Sequence, residues 1–219
     1  MLLPRGKQVK SPFNPKKMNW PDAVVKLREG RFSGYLHCWG TSGSGILLFD
    51  SGRLATVRFY SRSGELLNAE AFERIFFLSL TGEMTLAIYR VSRELSSLLH
   101  SVLGGEILYR GQQLCLLDIP HVLQKLTKDR FSGCLRVGAG QEFSLVFFKK
   151  GAPIGFFHDD SLDLTRTADL ERSTARIPGA TLDIIAGVHV SEGDIPDLVE
   201  SHDLEEYWDR AVKKAQVTV

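Results

Sequence analysis

A chain of 219 residues can build one large domain or two small ones. Its 43% hydrophobic and 24% charged residues are ordinary for a globular protein, and a net charge of +1 excludes the basic excess of a dedicated nucleic-acid binder. Cys38, Cys115 and Cys134 are far apart, odd in number and form no CxxC pair, which indicates neither a disulfide framework nor a zinc site and fits a reducing, cytoplasmic compartment.

No stretch approaches the ~18–20 apolar residues of a spanning helix, so no membrane insertion is expected. Residues 1–18 mix lysines with prolines and lack the apolar run of a signal peptide, which predicts a loosely docked basic arm. Asn19-Trp20-Pro21 then opens a short amphipathic helix with Trp20, Ala23, Val24 and Leu27 on one face and Gly30 as its stop. Three strands follow, 32–39, 46–49 and 54–60. Gly40-Thr41-Ser42-Gly43-Ser44-Gly45 and Asp50-Ser51-Gly52 separate them as hairpin turns. From residue 65 the period changes to that of a helix, with Leu66, Ala69, Phe72, Ile75 and Phe76 on one face. Gly82 ends it before a closing strand over 84–89. Residues 19–90 thus read as an α-β-β-β-α-β module.

Residues 91–117 read as a connector, an amphipathic helix through Leu95, Leu98, Leu99 and Val102 and then a β-hairpin turning at Arg110-Gly111, with no twin upstream unless the N-terminal arm is a degenerate one. The pattern restarts over 118–188. Arg31-Phe32-Ser33-Gly34 returns as Arg130-Phe131-Ser132-Gly133, an offset of 130 − 31 = 99. Asp118-Ile119-Pro120 repeats Asn19-Trp20-Pro21, and Gly151 repeats Gly52, at the same offset. The second middle helix, about 162–176, is rich in Thr, Arg and Asp and is expected to be the weaker copy. A polar linker and an amphipathic helix through Leu204, Tyr207, Trp208 and Ala211 fill 189–219. The fold class is α+β: two repeated α-β-β-β-α-β modules with antiparallel sheets, a helix-hairpin connector and a C-terminal helix.

The repeated order resembles the PATAN domain, a bacterial module of the PatA N-terminal type. Leu27, Phe32-Ser33-Gly34, Leu36, Phe49, Gly52, Leu54, Ala69 and Gly82 carry the resemblance in the first copy. In the second they are Leu126, Phe131-Ser132-Gly133, Leu135, Phe148, Gly151, Ile154, Ala168 and Gly179. The resemblance implies bacterial signal transduction in motility, pilus or polarity control. It also implies a protein partner such as a response regulator, a small GTPase or a pilus component. No receiver-domain phosphoacceptor pocket is recognisable, and oligomeric state is not encoded in the motif.

No residue set argues for catalysis. His37 and Cys38 are strand neighbours and face opposite sides. His100, His121, His158, His189 and His202 are scattered, and Asp159-Asp160 reads as a surface turn rather than a cation site. The glycine-rich turn at 40–45 leads into a strand and offers no helix N-terminus to a phosphate. No enzyme activity, cofactor or metal is expected. Five residues remain as candidate contacts. Arg31 and Arg130 repeat, either as a shared binding feature or as a polar corner. Arg58 and Arg62 have the RxxxR spacing of one class of cyclic-dinucleotide receptor, which supports a small-ligand sensor as the alternative function. Trp208 either meets a partner helix or packs on its own chain.

Overall fold

The computed structural model describes residues 3–4, 6–140, 142–158, 161, 163–169, 171–188 and 195–218. Its helices in chain order are α1 (Trp20–Glu29), α2 (Asn68–Thr81), α3 (Arg93–Leu103), α4 (Ile119–Lys128), α5 (Leu198–Ser201) and α6 (Leu204–Thr218). The strands form two antiparallel sheets, as an α+β fold requires. The chain divides into two compact units. Unit one is residues 7–96 with 192–219, and unit two is residues 1–6 with 97–191. The C-terminal helix, expected as a separate segment after the second repeat, therefore belongs with the first repeat. Helix α3 carries the chain from unit one into unit two.

In unit one, strands β1 (Lys7–Phe13), β2 (Gly34–Gly40), β3 (Gly43–Asp50), β4 (Arg53–Ser61), β5 (Gly64–Leu67) and β6 (Met84–Arg90) lie in the order β1-β6-β2-β3-β4-β5. The expected basic arm is in part strand β1, paired along β6. Most of its side chains are exposed, so no apolar alternation marks it, and backbone hydrogen bonds do the pairing. An edge position tolerates Pro12, which has no N–H to give. After it, Asn14 Nδ2 donates to the Gly82 carbonyl at 2.9 Å, and Pro15–Lys17 forms a 3-10 turn.

Helices α1 and α2 cover the face of this sheet that carries Leu36, Cys38, Leu47 and Phe49. The Asn19 side chain caps α1 by accepting from the Asp22 N–H. Phe76, fully buried, is the hub: its ring lies 5.6 Å from Trp20, 5.7 Å from Phe72 and 5.7 Å from Trp208. Helix α6 closes over α2, with Tyr207 stacked on Phe72 at 6.0 Å and Arg210 paired to Glu73 at 3.0 Å.

In unit two, β7 (Glu106–Gln113), β8 (Gly133–Ala139), β9 (Glu142–Lys149), β10 (Ala152–His158) and β11 (Thr181–Ala186) lie in the order β10-β9-β8-β11-β7. The expected hairpin at Arg110-Gly111 is instead one continuous strand, β7, paired along β11. Gly111 takes a φ of +65° and its N–H donates to Asp183 Oδ1 at 2.7 Å. A glycine that bulges a strand leaves the same sequence signal as one that turns a hairpin. Strand β7 matches β1 in place and offset: Glu106 lies 99 after Lys7, and the 3-10 turn at Leu114–Leu116 lies 99 after Pro15–Lys17. The repeat thus starts at residue 7 rather than 19, and the connector's strand is the second copy's first element.

The second middle helix is the largest departure. Among the described residues of 162–176 there is an isolated bridge from Thr165 to Phe156 and a 3-10 turn, Thr174–Arg176. The bridge stands where β5 stands in unit one, Leu66 lying 99 before Thr165, but its register is shifted by two: Leu66 pairs with Phe59, and Thr165 with Phe156, the equivalent of Val57. At the positions of Phe72 and Phe76 stand Glu171 and Ala175, both exposed. Without an apolar stripe a helix here would have nothing to bury.

Candidate interaction surface

The two Arg-Phe-Ser-Gly stretches are corners built alike. The Phe32 N–H reaches back to the Leu27 carbonyl at 3.0 Å, and Phe131 to Leu126 at 2.9 Å, closing each helix. Arg31 and Arg130 occupy the left-handed region at φ +47° and +50°, with exposed side chains. Phe32 packs edge-on to Phe49, and Phe131 to Phe148. The Ser33 hydroxyl oxygen accepts from the Ser51 N–H, and Ser132 from Lys150, each at 2.9 Å. These serines pin the hairpin turn to the corner, a role the sequence pattern leaves unannounced. A Cβ on Gly34 would lie 2.1 Å from the Tyr89 carbonyl oxygen, and one on Gly133 2.1 Å from that of Ile185.

The remaining candidates separate. Arg58 lies in β4 and its guanidinium is paired with Glu65 of β5, while Arg62 is exposed in the turn between those strands. Burial, with the Glu65 charge beside it, pushes the Tyr60 hydroxyl up to about 12 on the same patch. Trp208 packs on Phe76 within unit one. Arg31 is in unit one and Arg130 in unit two. Among the described residues no histidine, cysteine and carboxylate group is arranged to hold a metal ion. Asp159, Asp160 and His189 lie outside the described residues.

One buried polar cluster resembles catalytic chemistry and is better explained by packing. Ser144 Oγ lies 3.1 Å from His158 Nδ1 and 2.9 Å from Thr174 Oγ1. All three residues are under 5% exposed, so no substrate reaches the hydroxyl. Ninety-nine residues earlier stand Gly45, Phe59 and Ile75, and in unit one Ile75 and Phe59 close over Gly45. The polar trio is a hydrogen-bonded replacement for that apolar one. It anchors the 3-10 turn at 174–176 over one end of the sheet, where α2 lies in unit one.

Elsewhere, among the described residues, the unit-two sheet lacks the cover that α2 provides in unit one. An apolar groove of about 350 Å³ runs between α4 and the sheet, lined by Val122, Leu123, Val137, Val146, Phe148 and Phe156, among others. Each of these six lies 99 after a unit-one residue: Ala23, Val24, Cys38, Leu47, Phe49 and Val57. Val24, Leu47 and Val57 are fully buried; Leu123 is 40% exposed, and Val146 and Phe156 are half-buried. Thr127 and Pro153 form one end of the groove. The exposed Lys128, Arg130, Lys149 and Lys150 lie along the chain beside that end, with Asp129 the acidic residue among them. The Thr127 hydroxyl donates to the Gly151 carbonyl at 3.2 Å, joining α4 to the β9–β10 turn that carries Lys150 and follows Lys149. The groove was detectable in the sequence through Glu171 and Ala175, which replace the covering phenylalanines while the sheet residues stay apolar.

No family model, curated protein or solved structure matches the chain. Among the described residues no helix is long and apolar enough to cross a membrane.

Proposed function

We propose that the chain is a non-enzymatic adaptor of bacterial signal transduction, a tandem PATAN-type protein whose work is contact with a protein partner. The observation that carries this reading is the unequal pair of repeats. One copy has its apolar face sealed by α2 with α5 and α6; among the described residues the other presents the same face as an open groove. A fold that only had to be stable would gain by covering both. The candidate partners are those the module's resemblance implies: a response regulator, a small GTPase or a pilus or motility component.

The test is affinity capture with the intact chain from a bacterial lysate, with each recovered protein purified and its binding measured directly. A purified partner that binds saturably supports the adaptor role. Recovery of no saturable binder, together with turnover of a metabolite by the purified chain, would overturn it.

A further inference from the structure

We propose that the unit-two groove receives an amphipathic helix of the partner protein, carrying aromatic residues at positions i and i+4 and acidic residues at its start. The proposal rests on the adaptor reading and specifies the contact. Its occupant is argued from the sister repeat. In unit one the equivalent face is covered by Phe72 and Phe76 of α2, spaced i and i+4, together with Leu198, Leu204 and Ala211 of α5 and α6, and the Phe76 ring lies tilted 5.6 Å from Trp20 of α1. In unit two the Trp20 position is Ile119, half-buried, and the positions of the two phenylalanines are Glu171 and Ala175. The sheet floor keeps its apolar character, so what is missing among the described residues is the helix and its two rings.

Charge supplies the second constraint. In unit one the corner at the end of the groove is met by acid. Arg28 Nε pairs with Asp197 at 3.3 Å and the guanidinium also meets Glu200, while the Leu54 N–H donates to Asp197 Oδ1 at 3.3 Å. The equivalents of Arg28 and Leu54 are Thr127 and Pro153, the end of the open groove. There the exposed side chains are Lys128, Arg130, Lys149 and Lys150, with Asp129 their acidic neighbour. An acidic first turn is complementary to this corner, and also to the helix dipole.

The probe is a fluorescein-labelled peptide of residues 67–82, which holds Phe72, Phe76, Glu70 and Glu73, titrated with the intact chain by anisotropy. The expected result is saturable binding with a Kd of about 100 μM. Binding should weaken at least about tenfold when the peptide carries Phe72→Ala and Phe76→Ala, or when the protein carries Leu123→Glu. The double variant Lys149→Glu/Lys150→Glu should weaken it about threefold, and less so in high salt. Leu123 is already 40% exposed, Lys149 is exposed at the end of β9 and Lys150 is exposed in the turn after it, so these variants keep the fold, as circular dichroism will check. Leu123 lies in unit two, so its effect assigns binding to the groove rather than to exchange with α2.

Two outcomes would overturn the proposal. One is no saturable binding up to about 1 mM, or binding indifferent to Leu123→Glu. The other is self-association of the chain that Leu123→Glu abolishes, which would make the occupant a second copy. If a purified partner still binds the Leu123→Glu chain undiminished, the groove is the wrong surface and the adaptor role stands.

Discussion

Phe76→Ala tests whether α2 is the element that seals unit one. Truncating a buried phenylalanine to alanine costs about 3–5 kcal/mol, part lost transfer energy and part cavity. Phe76 belongs at the upper end. It is fully buried and has three aromatic neighbours within 6 Å. Each aromatic pair adds about 0.5–1.5 kcal/mol beyond area. An expected loss of about 4–5 kcal/mol is a large share of the ~5–15 kcal/mol that holds a domain together. Tryptophan emission in a urea titration reads this directly, because Trp20, Trp39 and Trp208 all lie in unit one. With a urea slope of about 2 kcal/mol/M the midpoint falls by about 2 M. The partner experiment is Phe156→Ala in unit two, where the ring is already half-solvated. Its cost should be about 1–2 kcal/mol, read by amide exchange in β9 and β10, with the tryptophan transition unmoved. A Phe76→Ala midpoint shift below about 0.5 M, or equal losses at the two positions, would refute the contrast between a sealed and an open face.

Gly133→Ala places a methyl 2.1 Å from the Ile185 carbonyl oxygen at a φ of +156°, so it should destabilise unit two by about 3 kcal/mol or more; a loss under 1 kcal/mol by amide exchange would refute that packing. Arg31→Gly relieves a left-handed arginine and should stabilise unit one by about 0.5–1 kcal/mol in the urea assay; a loss of stability would refute the strain. A thiol reagent should label Cys115 quickly in the native chain and reach Cys38 and Cys134 only on unfolding, because those two are buried and Cys115 is exposed. Burial raises both buried thiols above the ordinary value of 9.0. The unfolded chain therefore loses these protons first. Stability is intact below that value and should fall above it by about 1.4 kcal/mol per pH unit for each thiol, measured as unfolding midpoint against pH.

What the sequence makes legible is whatever repeats an apolar period. The helices at 20–29 and 119–128, the inner strands and both Arg-Phe-Ser-Gly corners follow from such patterns. Strand β1 is hidden because an edge strand with exposed side chains has no apolar alternation. Gly111 misleads because bulge and turn use the same residue. The fate of α6 could not be read because an apolar stripe states that something is covered, without stating what; Tyr207 and Trp208 cover α2. The groove is a property of two aligned positions, Glu171 and Ala175, and it becomes visible only when the copies are compared residue by residue rather than for their shared motifs.

The discontinuity of unit one sets an order of events during synthesis. Its sheet and α2 emerge first, but α5 and α6, which supply Leu198, Leu204 and Ala211 to its core, emerge after all of unit two. Until then the face of α2 that carries Phe72 and Phe76 waits without its final cover. Unit two, made from one nearly continuous stretch, is free to fold while the ribosome is still working. Translational pausing between residues 97 and 191 would therefore prolong the life of a half-covered aromatic surface, and the nascent chain would be most open to chaperones, and to misassociation, in that interval.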